Sequence, residues 1–165
     1  MISGIIGAAI AGAFSFITAD RQISAQSQDS AHQFLRTQQQ ALYSKFLTQY
    51  DAAYEDIYQL DNILPHEQTS DEMYQTAYEK ALSDSSALTP MVRELSLIAS
   101  SEVAGNSEQL ASKQLFLIGS LNLRPVEDQG KAKAAVEGDK ALFDELNDLR
   151  KSFINSARKD LGSDL

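Results

Sequence analysis

The sequence predicts an all-α protein: an N-terminal transmembrane helix continuing into the long first helix of an antiparallel bundle of about four helices. Three observations predict it. Apolar residues return every three or four positions along most of the chain, the spacing of one buried helix face. The chain is rich in Gln, Ser and Ala and holds only three Pro and eight Gly among 165 residues, a composition that points away from an all-β fold. Residues 1–19 (MISGIIGAAIAGAFSFITA) carry no charged side chain, so every Lys, Arg, Asp and Glu lies beyond them. The organisation expected is residues 1–19 as a membrane anchor, residues 20–40 as a polar helical stalk and residues 41–165 as a helical bundle domain.

Nineteen helical residues rise about 28 Å, close to the roughly 30 Å of a bilayer core. A cleaved signal peptide is the main competitor, with Ile17-Thr18-Ala19 as its cleavage site. That reading lacks the basic start that signal peptides carry. Arg21 and Arg36 follow the segment and nothing basic precedes it, so the positive-inside rule places the C-terminal domain in the cytoplasm. The expected location is the inner membrane, crossed once. Gly4, Ala8 and Gly12 recur every four residues, and Gly7, Ala11 and Ser15 repeat the spacing beside them. Small residues at that spacing let a second helix approach closely, so these six are candidates for a contact with another membrane protein or with a second copy.

Residues 20–40 are dominated by Gln and Ser without Pro or Gly, as in a solvated helix continuing the anchor. Leu35, Leu42, Phe46, Ala53, Ile57, Leu60 and Leu64 then mark one buried face, ended by Pro65. A second helix starts near Thr69, where Thr69 and Glu72 have capping-box spacing, and carries Met73, Ala77, Tyr78, Ala81 and Leu82. Thr89-Pro90 predicts a break, with Thr89 as cap and Pro90 in a first turn. A short piece with Val92, Leu95, Leu97 and Ile98 follows. Ser100-Ser101-Glu102 begins the next helix, which runs through Val103, Leu110, Leu115, Leu117, Ile118 and Leu121 and stops before Arg124-Pro125. Pro125, Gly130 and Gly138 place the longest loop at 124–138. The last helix starts by Asp139 and carries Leu142, Leu146, Leu149, Phe153, Ala157 and Leu161. Arg158 and Lys159 complement its dipole, and Gly162 supplies its C-cap.

The chemistry-bearing residues are sparse. A formal charge of −9 disfavours a nucleic-acid partner, and the absence of Cys rules out disulfides and thiolate chemistry. The two His, His32 and His66, lack the Glu-x-x-His pattern of a bundle di-metal centre, so no metal is expected. No phosphate loop, nucleophile elbow or dinucleotide fingerprint occurs, so neither an enzymatic activity nor a cofactor is expected. Six Tyr fall between positions 43 and 78. Tyr50, Tyr54 and Tyr58 step by four, as do Tyr74 and Tyr78. These five predict an aromatic seam between the first two soluble helices, read either as a half-buried bundle face or as a docking strip for a partner helix.

The anchor, the Arg-x6-Tyr-x2-Phe-Leu spacing of Arg36, Tyr43, Phe46 and Leu47, the segment Arg93–Val103 (RELSLIASSEV) and the end Phe153–Gly162 (FINSARKDLG) together resemble a loose group of uncharacterised bacterial membrane-anchored helical proteins. That resemblance implies an anchored bundle and no particular activity. The expected function is therefore that of an interaction protein, tethered to the bilayer by residues 1–19 and serving as an accessory or stabilising subunit of a larger membrane complex. A cytoplasmic-side sensor and a phage or secreted component that inserts into a membrane are the alternatives.

Overall fold

The computed structural model describes the backbone of residues 5–63, 71–122 and 129–162, and side chains within 30–62, 72–121 and 140–162. Among the described residues every regular element is an α-helix: α1 (Ile5–Ile63), α2 (Asp71–Ser86), α3 (Leu88–Ile98), α4 (Ser101–Asn122) and α5 (Gln129–Asp160). The chain divides into two units, Met1–Gln38 and Gln39–Leu165. In the first unit, residues 5–38 belong to α1, and the described side chains from Ser30 to Gln38 are all exposed.

The second unit is an up-and-down bundle with four legs, and its cross-links give the topology. Gln49 bonds Asp84 and Asp56 pairs with Lys80, so α2 runs antiparallel to α1. The α3 helix continues the same leg, because its last residue, Ile98, accepts a bond from Gln39 near where α1 enters the unit. Tyr74, at the start of α2, reaches Leu121 near the end of α4. The pairs Glu102–Lys159, Asn106–Ser156 and Lys113–Glu145 set α5 antiparallel to α4. Tyr43 to Asp160, Arg150 to Asp51 and Asn147 to Tyr54 set α5 antiparallel to α1 as well.

The core is one cluster. From α1 it takes Leu42, Tyr43, Phe46, Tyr50, Ile57 and Leu60, from the α2–α3 leg Ala81, Leu88 and Leu95, from α4 Val103, Leu110, Leu117, Ile118 and Leu121, and from α5 Phe143, Leu146 and Phe153. Apart from the adjacent pairs Leu42–Tyr43 and Leu117–Ile118, the steps along each helix are threes, fours and sevens, so each buries one stripe and leaves its polar face to water. Phe46 lies against Phe153 with ring centroids 4.9 Å apart, and Tyr43 meets the same ring edge-on at 6.1 Å.

Several boundaries differ from the sequence expectation. The break in the second leg falls at Ala87, not at Thr89-Pro90. Ala87 keeps helical angles, and its N–H still donates to Ser83 at 3.1 Å. The chain therefore jogs rather than turns, and Thr89 sits inside the first turn of α3 instead of capping it. Pro90 is tolerated there because the first N–H groups of a helix have no partner within it. The loop expected at 124–138 is largely helix, since α5 starts at Gln129. Lys131–Glu137 (KAKAAVE) is made mostly of strong helix formers, and they override Gly130 and Gly138. Leu35, expected on the buried face, is 42% exposed, and burial begins at Gln39. Leu97 is 83% exposed because it lies off the stripe defined by Leu88 and Leu95. The start signal at Ser100 is used. Its Oγ accepts from the Val103 N–H at 3.4 Å, as an N-cap does. Gly162, at φ 67°, ends α5 as expected. Leu64, Pro65 and the Thr69 cap lie outside the described residues.

The transmembrane expectation needs a correction of scope. Among the described residues no helix is long and apolar enough to cross a membrane. The uncharged part of α1 runs from Ile5 to Ala19, about 22 Å at 1.5 Å per residue, before Asp20 and Arg21 intervene. Residues 1–4, which complete the uncharged run, lie outside the described residues. Gly4 is among them, and the side-chain surroundings of Gly7, Ala8, Ala11, Gly12 and Ser15 are likewise outside.

Denaturant unfolding tests the packing from both directions. Leu110 is fully buried, and Leu110→Ala should cost about 2–5 kcal/mol. Gly119 lies within α4 with nothing within 4 Å of an added Cβ, so Gly119→Ala should raise stability by about 0.5–1 kcal/mol.

Candidate functional site

Three segments of the second unit meet at one carboxylate. Asp160 ends α5, and its Oδ2 accepts from the Tyr43 hydroxyl, from the Ser100 N–H at 3.1 Å and, more weakly, from Gln39 Nε2 at 3.5 Å. Gln39 Nε2 also donates to the Ile98 carbonyl at 2.6 Å. The group ties the first turn of α1 in this unit, the α3–α4 corner and the end of α5 together. A carboxylate in a helix's last turn opposes the helix dipole. Here the loss is offset by donors from outside the helix, among them the N-cap amide of α4, where negative charge is favoured. Tyr43, Ser100 and Asp160 come one each from Arg36–Leu47, Arg93–Val103 and Phe153–Gly162, so those segments share one place in the fold.

The five candidate tyrosines divide by helix. Tyr50 is in the core, and its hydroxyl donates to the Leu146 carbonyl at 3.3 Å. Its own carbonyl accepts from Gln114 Nε2 at 3.1 Å. Tyr54 and Tyr58 pack edge-on against Phe143 of α5, with centroids 5.4 Å and 5.9 Å apart. Tyr74 and Tyr78 stack on each other along α2 at 6.4 Å, and the Tyr74 hydroxyl donates to Leu121. The seam expected between the first two soluble helices is thus corrected. Tyr50, Tyr54 and Tyr58 follow the α1–α5 contact, because their position on α1 turns them towards Phe143 and Leu146. Tyr50 is closed to a partner. Tyr58, 47% exposed, and the half-buried Tyr54, Tyr74 and Tyr78 reach the surface.

The charged residues form cross-helix pairs. Arg150 grips Asp51 through two bonds of 2.7 Å, and the Asp51 carboxylate holds the guanidinium pKa above its usual value. Lys80 is shared between Asp56 and, at 3.2 Å, Asp84, and its bond to Asp56 raises its own pKa. Partial burial pushes the Asp56 carboxyl up, and the adjacent Asp84 adds to this against the pull of Lys80. Bonds from Asp56 and Lys80 hold Asp84 down. Lying near the surface, these pairs fix register more than they add stability. Among the described residues the buried Ser85 Oγ and Gln114 Oε1 have no hydrogen-bond partner. His32 is exposed, and His66 lies outside the described residues. Among the described residues no group of three His, Asp or Glu side chains is placed to hold a metal ion.

Sequence reasoning missed Gln39, Ser100 and Asp160 as a unit. Gln39 was one Gln in a polar run, and Ser100 read only as a helix start. The one local signal was Asp160 itself, an acid following Arg158 and Lys159 in a turn that favours cations. Compared with known protein families, curated proteins and solved structures, the chain matches none.

Burial, the bond to Asp160 and its negative charge push the Tyr43 hydroxyl pKa up, and burial does the same to Tyr50. A phenol whose pKa is raised by folding stabilises the fold below its ordinary value of about 10 and loses that contribution as pH climbs above it. The urea midpoint should therefore fall as pH rises beyond about 10. Tyr43→Phe should make that fall shallower while lowering the midpoint at neutral pH.

Proposed function

We propose that this chain is a membrane-tethered helical interaction protein, an accessory or stabilising subunit of a larger membrane complex, crossing the inner membrane once with its bundle in the cytoplasm. The partition of charge carries the reading: nineteen uncharged residues, then a remainder holding all 37 charged side chains, 14 basic and 23 acidic. Such a run fits the hydrocarbon core of a bilayer when all of residues 1–19 are helical, and the spacing of Gly4, Ala8 and Gly12 suits a close helix contact within it. The bundle of residues 39–165 fills its core with its own side chains, so what it offers a partner is surface. That surface includes large apolar groups such as Phe116, 62% exposed, and Leu97. The continuity of α1 from Ile5 to Ile63 favours a second reading, a sensor in which that helix carries motion to the bundle.

Fractionation of bacteria expressing the full chain, and a topology reporter fused after Leu165, test the leading reading. The expected result is a membrane-bound protein that resists alkaline carbonate extraction, is released by deletion of residues 1–19 and shows a cytoplasmic reporter. Recovery of the full chain in the soluble fraction would overturn the tether. A reporter active only outside the cytoplasm would overturn the orientation.

A further inference from the structure

The Asp160 cluster does more than join helices. It closes one end of the core, where Leu42, Tyr43, Phe46 and Phe153 are buried. The α1 turn 39–43 reaches the rest of that end through Gln39 and Tyr43, and the α3–α4 corner reaches it through Ile98 and Ser100, with one further, solvent-exposed tie from Glu102 to Lys159 at 3.4 Å. Three of the bonds share one oxygen, so loss of that oxygen's charge or of its position weakens all three together. The far part of the core is held independently, by Tyr74 to Leu121, by Tyr54 and Tyr58 on Phe143, and by Lys113 to Glu145. Elements with few independent attachments open locally at a free energy below that of global unfolding.

We propose that Asp160 is a clasp, and that its release frees residues 39–43 and 98–103 from the end of α5 as one local opening while the rest of the bundle stays folded. The opening uncovers the apolar surface of Leu42, Tyr43 and Phe153 in one step. It depends on the carboxylate and not on any property of residues 1–19.

Amide hydrogen exchange on the full chain in detergent, read by mass spectrometry, tests this with Asp160→Asn, Tyr43→Phe and Arg150→Ala. The last breaks another α1–α5 bond, Arg150 to Asp51, and serves as the control. The clasp predicts that Asp160→Asn and Tyr43→Phe speed exchange in 39–43 and 98–103 at least tenfold more than in 110–121, and that Arg150→Ala leaves the first two segments unchanged. Unchanged exchange in 39–43 and 98–103 would overturn the proposal. So would equal acceleration in 110–121, which means global destabilisation, or acceleration of 39–43 without 98–103. If Asp160→Asn fails to fold, Tyr43→Phe decides alone, since it removes one donor and keeps the acceptor.

Discussion

Everything in the second unit depends on one stripe of α1. Leu42, Phe46, Tyr50, Ala53, Ile57 and Leu60 are buried at steps of three and four, and partners from α2, α3, α4 and α5 close around them. A helix of this length is not held by backbone propensity alone, and an apolar face that finds no cover leaves most of its stabilisation unrealised. The three other legs supply the cover, and α1 sets their register through side chains that leave the stripe on either side. Gln49 takes the α2 leg, Asp51 takes Arg150 of α5, and the Tyr50 carbonyl takes Gln114 of α4.

Polar groups complete what the apolar stripe leaves undefined. Leucine-like packing tolerates sliding, whereas a directed hydrogen bond into a buried carbonyl does not. Tyr50 to Leu146 and Gln114 to Tyr50 fix three helices in the middle of the core, and the bonds to Asp160 fix the end. The accompanying cost is visible in Gln114, whose Oε1 is left without a partner while its Nε2 holds the Tyr50 carbonyl. A buried acceptor without a donor costs about 1–3 kcal/mol, so this layer trades stability for a defined register.

How much of this was legible follows from which rules act locally. Helix periodicity is local, so the runs Leu42–Leu60, Leu110–Leu121 and Leu146–Phe153 and their buried faces read directly, whereas Met73 and Leu82, expected on the buried face of the second helix, are exposed. Capping is local too, and Ser100 and Gly162 sit where the sequence puts them. The misplaced features all answer to tertiary context. The Ala87 jog lies two residues before Thr89 because the helical turn persists until Pro90 can begin a new one. Leu35 keeps the period but has no leg beside it. Phe143, adjacent to the expected Leu142, meets Tyr54 and Tyr58, a pairing across 89 and 85 residues that no window contains. Asp160 was the one local contradiction, and it marks the cluster that joins the helix ends.

Among the described residues the core draws on side chains from Leu42 onward, so a chain beginning at Gln39 carries all of it. Urea unfolding of a chain beginning at Gln39, followed by circular dichroism, tests this most directly. The predicted result is a single cooperative transition with a midpoint and slope equal to those of the full chain's bundle. A broad, non-cooperative loss of helix would contradict it.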